Sequence, residues 1–257
     1  MAGRRDLEIL YEDGCIIVAD KPAGLLTMST GKDGEITAYS ILTDYVRSGK
    51  HRYSREKDGW NRIFIVHRLD RDTSGVIVFA KDPETKYALQ NDWNDTVLER
   101  KYVAVLEGIP EIPEGTIDSY LKDNPKSCRV YSSVTDNGGK YSVTHYRLLS
   151  PEGKTSGDRS GGTPSSRTGQ RYSLVEFELE TGRKNQIRVH AAEIGHPVAG
   201  DIKYGALTNP ARRLCLHART LAFRHPLTGK TLRFDTGIPD AFLRLVRHRR
   251  TETVRGQ

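Results

Sequence analysis

Between Arg62 and Asp82 the chain reads RIFIVHRLDRDTSGVIVFAKD. Two apolar, largely β-branched runs, Ile63–Val66 and Val76–Phe79, bracket this stretch. Runs of that length and composition read as buried strands. Between them lie His67, Arg68, Asp70, Arg71, Asp72, Thr73, Ser74 and Gly75, with Leu69 as the one aliphatic residue. A charged loop pinned at both ends by core strands is where folds commonly place chemistry. The plain alternative is a solvated turn, capped by Asp72 and Thr73, with Gly75 supplying an unusual backbone angle.

The flanking chain supplies a mixed α and β frame. Residues 6–20 read as a hairpin: Leu7, Ile9 and Tyr11 alternate, Asp13-Gly14 marks the turn, and Cys15 opens the return arm. Lys21-Pro22-Ala23-Gly24 ends that arm, because Pro22 has no amide to give to a sheet. Ala38, Ile41, Leu42, Tyr45 and Val46 recur at helical spacing. The next segment, SGKHRYSREKDGW, interleaves cations with Tyr53 and Trp60, a composition suited to phosphates and stacked bases. Pro83 and Glu84 suit a helix start, with Leu89 and Trp93 on one face. Tyr102–Leu106 reads as a short buried strand behind Arg100-Lys101, and 116–122, 127–134 and 140–149 as further strands. Residues 151–171 contain no aliphatic side chain and read as a mobile loop. Tyr172–Leu179 alternates as a half-buried strand with Glu176 and Glu178 outward. Ile187, His190, Ala191 and Ile194 mark a helix from Gln186 that Gly195 ends, with Arg183 and Lys184 at its start. Strands at 214–224 and 230–235 close the pattern.

Composition narrows the classes. At 257 residues with mean hydropathy −0.58, the chain can bury a substantial core, and no apolar run approaches a membrane span. MAGRRDLEIL lacks the apolar segment of a signal peptide, so a cytoplasmic location is expected. Cys15, Cys128 and Cys215 are isolated and odd in number, which fits a reducing compartment. His217 and His225 read as structural, with no Cys, Asp or Glu at ligand spacing, so no metal is expected. Net charge of +7 suits a polyanionic partner.

HRLDRDTSG closely resembles the signature of the RluA-type pseudouridine synthases. KPAG, the KY of the 102–106 strand and GRKNQIRVH resemble further motifs of that family, in its order, over roughly residues 7–245. Asn185 departs from the usual His in the last of these. The resemblance implies an α+β pseudouridine-synthase fold, a largely antiparallel sheet with flanking helices, forming a single catalytic domain over 1–250 with a basic tail at 251–257. It implies that Asp70 is the catalytic residue, that Tyr102 sits beside it, and that Arg188 pairs with its carboxylate. Arg68 matches the residue that fills the stack vacated by a flipped uridine. Arg71, Arg100, Lys101, Arg183 and Lys184 are the other expected RNA contacts. KPAG is expected to be scaffold, and His217 and His225 match the family's closing LHA and HP pattern. The expected partner is RNA, ribosomal or transfer, with no cofactor and no obligate protein partner, and a monomer is expected. No separate N-terminal RNA-binding domain is expected ahead of the first strand.

Two other classes fit part of the pattern. A glycosidase needs two carboxylates about 5–10 Å apart, for which Asp70 and Asp72 are the nearest pair. Free uracil or free sugar as product would favour it. A non-catalytic RNA-binding protein explains the cations and aromatics, but a carboxylate inside an Arg-rich phosphate-facing loop opposes binding.

Overall fold

A computed structural model describes residues 7–49, 62–91, 93–149 and 172–247. Most of the basic segment at 48–60, the insertion at 151–171 and the tail at 251–257 therefore lie outside the described residues. The elements in order are β1 (Glu8–Glu12), β2 (Ile16–Lys21), α1 (Ala38–Arg47), β3 (Phe64–Ile65), β4 (Ser74–Ala80), α2 (Pro83–Asn91), α3 (Trp93–Thr96) and β5 (Val97–Glu107). They continue with β6 (Glu114–Asn124), β7 (Arg129–Ser133), β8 (Lys140–Leu149), β9 (Tyr172–Leu179) and α4 (Gln186–Glu193). A 3-10 turn (Ile202–Tyr204), β10 (Leu216–Arg224), β11 (Thr231–Asp235) and α5 (Asp240–Val246) complete the elements among the described residues. They divide between two compact units: Met1–Val103, Glu178–Asn185 and Leu216–Gly237 in the first, and Ala104–Phe177, Gln186–Cys215 and Ile238–Gln257 in the second.

In the first unit β4 is the central strand, and all seven of its residues are buried. It pairs antiparallel with β2, from Lys21 opposite Gly75 to Ile16 opposite Ala80, and parallel with β10 at His217–Ser74 and Ala218–Gly75. A strand buried on both faces must be apolar throughout, which explains the unbroken VIVFA run. β1 borders β2, β11 borders β10, and β3 adds two residues to β4. The core gathers Ile16, Val18, Val66, Val76, Val78, Leu89, Leu221 and Phe223, with Tyr11, Trp93 and Phe234 packed against it. Asp13 makes the expected turn, its Oδ1 accepting the amides of Cys15 and Ile16. Thr37 and Ser40 form a capping box at the start of α1, each side chain taking the other's amide.

In the second unit β6 pairs antiparallel with β8 and with β7. Odd-numbered residues of β6 from Gly115 to Leu121 turn inward and even-numbered ones outward. α4 covers the inner face: Gln186 Nε2 donates to Val143 O (2.9 Å) and Thr144 Oγ1 (2.8 Å), and Val189 packs on Leu121 and Val130. His190 links Thr144 Oγ1 (2.8 Å) through Nδ1 and Ser119 Oγ (3.2 Å) through Nε2.

Several boundaries differ from the sequence reading. β3 keeps only Phe64 and Ile65 as strand, although Ile63 and Val66 are buried as expected. β4 begins two residues early, so Ser74 and Gly75 belong to the sheet and the charged loop is shorter. β5 runs eleven residues rather than five. β9 is buried on both faces from Ser173 to Phe177, because Glu176 is neutralised by Arg147 at 2.7 Å instead of facing water. Among the described residues no helix is long and apolar enough to cross a membrane.

Candidate active site

The loop from His67 to Thr73 belongs to the first unit and is fixed from below by backbone contacts. Thr27 Oγ1 donates to Leu69 O (2.8 Å) and accepts from Leu69 N (3.2 Å), so one hydroxyl holds both polar atoms of that peptide. Lys21 is fully buried, and its ammonium donates to the carbonyls of Pro22 (3.1 Å), Leu25 (2.7 Å) and Arg71 (3.1 Å). Gly24 N also donates to Arg71 O (2.8 Å). The KPAG segment is therefore scaffold in a specific sense, clamping the chain one residue after Asp70. Thr73 N closes a turn onto Asp70 O (3.2 Å). Beyond the loop Ser74 Oγ meets His217 Nδ1 at 2.7 Å, and His217 Nε2 meets Thr236 Oγ1 at 2.9 Å, the structural role expected for that histidine.

This scaffold sorts the loop side chains. Leu69 and Thr73 are buried, Asp70 is half-buried, and Arg68, Arg71 and Asp72 are exposed. His67 Nε2 accepts the amide of Val78 (3.2 Å) and its ring lies 4.7 Å from that of Trp93. Burial, reinforced by the charge of Arg100, drives its pKa down to about 3, so it is a neutral ring at physiological pH.

Tyr102 is buried, and burial raises its phenol pKa; Arg100 opposes that shift and the Asp70 carboxylate adds to it. The phenol thus stays protonated within electrostatic reach of Asp70. Arg100 is half-buried, donates from Nη2 to Leu179 O (3.2 Å) and leaves Nε buried without a partner. A Cβ on Gly182 would stand 2.7 Å from Arg100 Nη1, so the glycine of TGRK makes room for that guanidinium. Lys101 pairs with Glu99 at 2.8 Å. Arg183 and Lys184 are exposed, and Asn185 takes a left-handed backbone (φ 55), which asparagine tolerates better than most residues.

Arg188 lies in the second unit. It makes a two-pronged ion pair with Asp201, Nε to Oδ2 at 2.6 Å and Nη2 to Oδ1 at 2.7 Å, over the ring of Tyr204 at 5.0 Å. Asp201 is 2% exposed. Sequence reasoning missed both residues; the available signal was D-x-x-Y-G, an acid and an aromatic three apart before a glycine that adopts φ 99.

The spacing argument against metal ligands also needs correcting, because the fold brings Asp13, Cys15 and His225 within 4.8 Å of one another. Ligand spacing along the chain could not show this, since His225 is 210 residues from Cys15. Hydrogen bonding nevertheless favours a clasp over a metal centre. His225 Nδ1 accepts the amides of Leu227 (3.3 Å) and Thr228 (3.1 Å), which puts the ring proton on Nε2, where it is donated to Asp13 Oδ2 (2.7 Å). That nitrogen has no lone pair left for a cation. Burial and the Asp13 charge push the Cys15 thiol up to about 12.

A mixed sheet whose central strand is entered from a loop with a half-buried carboxylate, its flanking peptides clamped, near a buried tyrosine and among exposed arginines, is the arrangement expected of a nucleic-acid-modifying enzyme of the pseudouridylate synthase fold. Residues 15–193 match the model of the RNA pseudouridylate synthase family, and the chain belongs to that family. It is 34% identical over 254 residues to the uncharacterized RNA pseudouridine synthase YlyB of Bacillus subtilis, covering 97% of this chain and 75% of that protein. It is also 34% identical over 242 residues to ribosomal large subunit pseudouridine synthase D of Zymomonas mobilis, covering 91% and 69%. Human RNA pseudouridylate synthase domain containing 4 shares the fold, with a TM-score of 0.67 at 23% identity over 93% of this chain and 92% of that one. The chain is an RNA pseudouridine synthase, an isomerase, as its motifs implied.

Proposed function

We propose that this synthase converts uridine to pseudouridine in large-subunit ribosomal RNA, with Asp70 acting at the sugar of the target nucleotide. The observation that carries the reading is the clamp on Asp70: Lys21, Gly24 and Thr27 hold the peptides on either side of it, while its side chain stays half-buried beside Tyr102. The ribosomal substrate is drawn from the relatives named as ribosomal large subunit synthases.

The reaction breaks the bond from the ribose to uracil N1, turns the base, and rejoins the same sugar carbon to C5; the proton lost from C5 is matched by the one gained at N1, so the product is an isomer. Atoms balance without a redox partner. An ionised Asp70 serves as nucleophile at the sugar or as acceptor of its proton. Arg188 is assigned as the partner of that carboxylate on the QIR motif. Arg68, exposed at the loop, is assigned as the wedge that takes the place of the flipped base, whose extrusion costs a few kcal/mol. Tyr102 packs on the released uracil, while Arg71, Arg183 and Lys184 meet phosphates. Arg100 and Lys101 act from behind this surface, the first on Tyr102 and the second through Glu99.

The test is pseudouridine formation on ribosomal RNA from cells lacking the protein. Asp70→Asn is expected to abolish product while leaving RNA affinity unchanged or slightly higher. Asp72→Asn, at an exposed carboxylate, is expected to retain activity. Product from folded Asp70→Asn protein would end the assignment, and release of free uracil would indicate hydrolysis instead.

A further inference from the structure

The outer face of the second unit's sheet carries an aromatic surface that the reaction does not use. α4 packs on the inner face of β6, β7 and β8, so the residues of the opposite parity face away from it. On that outer face Tyr120 stands opposite Tyr141, their ring centroids 5.4 Å apart and tilted by 57°. Tyr131, opposite Lys122, is the diagonal neighbour of Tyr120 across the β6–β7 pair. Tyr131 and Tyr141 are each 49% exposed, which leaves about half of each ring's residue surface open to solvent. The Tyr141 hydroxyl donates to Asp118 Oδ2 at 2.8 Å, so the ring is held in place and one of the nearby carboxylates is occupied.

We infer that this sheet face is a docking surface for single-stranded segments of the RNA substrate, which stack their bases on Tyr131 and Tyr141. An antiparallel sheet that offers aromatic rings at cross-strand neighbours is a known way to hold unpaired bases, since every base has a π-face. The chemistry favours RNA over a protein partner. The large side chains here are tyrosines rather than aliphatics, and Lys122 on the same face, its ammonium held by Asn137 O at 2.7 Å, is an exposed cation that matches a phosphate backbone. The inference rests on RNA being the substrate of the family, but not on Asp70 or Arg188.

The experiment measures the affinity of a fluorescein-labelled oligouridylate for the full chain carrying Asp70→Asn, so that turnover plays no part. Tyr131→Ala and Tyr141→Ala are each expected to weaken binding roughly five- to tenfold, the lower part of the range for one stacked base. Tyr131→Phe and Tyr141→Phe, which keep the rings, are expected to bind within about twofold of the parent. Tyr87→Ala, at a 69% exposed tyrosine of α2, is the control for losing any surface ring. Lys122→Ala is expected to lower the slope of log affinity against log salt by about 0.7. On the unsubstituted chain, 4-thiouridine in the probe is expected to photo-crosslink to peptides containing Tyr131 or Tyr141, a result that does not depend on any variant folding. Alanine variants that bind like Tyr87→Ala would overturn the inference. So would variants that abolish only a concentration-dependent dimer in sedimentation, because the face would then serve a second copy of the chain.

Discussion

Gly75 makes a very close approach to the backbone of the paired strand, and replacing it with alanine tests how the charged loop is held. Its φ is +117, a conformation that L side chains rarely adopt. A Cβ there would lie 2.1 Å from the carbonyl oxygen of Ala218, 2.6 Å from its carbon and 2.7 Å from its nitrogen. These are backbone atoms of the paired strand, and no rotamer change relieves the contact. Two costs add: about 1–2 kcal/mol for the left-handed backbone and about 1–3 kcal/mol for overpacking. The total of about 2–5 kcal/mol is a large share of a typical domain stability of about 5–15 kcal/mol. β4 and β10 meet at only two register pairs, so the clash must separate them and strain the Ser74–His217 bond as well. Gly31→Ala is the matched control: its φ is +97, yet a Cβ there meets nothing within 4 Å. Urea unfolding followed by tryptophan fluorescence, to which Trp93 packed against the core of the first unit contributes, compares the two variants. The difference between them isolates the contact with Ala218. If Gly75→Ala is no less stable than Gly31→Ala, the close approach of β4 to β10 is wrong.

Three further outcomes are expected. Lys21→Met keeps the side-chain volume but strips the carbonyls of Pro22, Leu25 and Arg71 of a charged donor; it should cost about 2–4 kcal/mol in urea unfolding and lower turnover more than RNA affinity. Asp201→Asn removes the charge that holds Arg188, and should cost about 3 kcal/mol and reduce turnover, whereas an unchanged rate would detach that pair from catalysis. Acid should destabilise the fold from about pH 6.5 downward: His67 and His190 have folded pKa values lowered to about 3 and about 4, mainly by burial, so below the ordinary value of 6.5 the unfolded chain binds protons that the folded chain refuses. Their contribution is fully present above pH 6.5 and is lost as pH falls toward 4 and 3. His190→Gln should flatten the fall between pH 6.5 and 4, and an unaltered slope would refute the assignment.

What was legible in the sequence was whatever local chemistry decides. The VIVFA run could only be a doubly buried strand, Asp13-Gly14 could only turn a hairpin, and the spacing after Gln186 could only be a helix; β4, the β1–β2 hairpin and α4 stand accordingly. The expected site residues are contiguous in the sequence: Asp70 lies with its neighbours in one loop, and Arg183 and Lys184 stand just ahead of α4, which carries Arg188. The misses arise where a residue's role is set by a partner distant in sequence. Glu176 looked like an outward residue of an alternating strand, and its ion pair with Arg147, 29 positions away, helps make its burial tolerable. Arg100 was expected at the RNA beside Lys101, and its half-buried position depends on the space that Gly182 leaves for it, which the sequence does not show. Asp13 did its turn's work visibly, while its second partner, His225, lies 212 residues away. Lys21 shows the same logic most strongly. A lysine before a proline reads as the end of a strand, yet burying an ammonium is tolerated only where several fixed carbonyls converge on it. One of those carbonyls belongs to Arg71, 50 residues along the chain and next to Asp70. A buried charge of this kind ties the geometry of the charged loop to the first hairpin, so KPAG and HRLDRDTSG are two halves of one support.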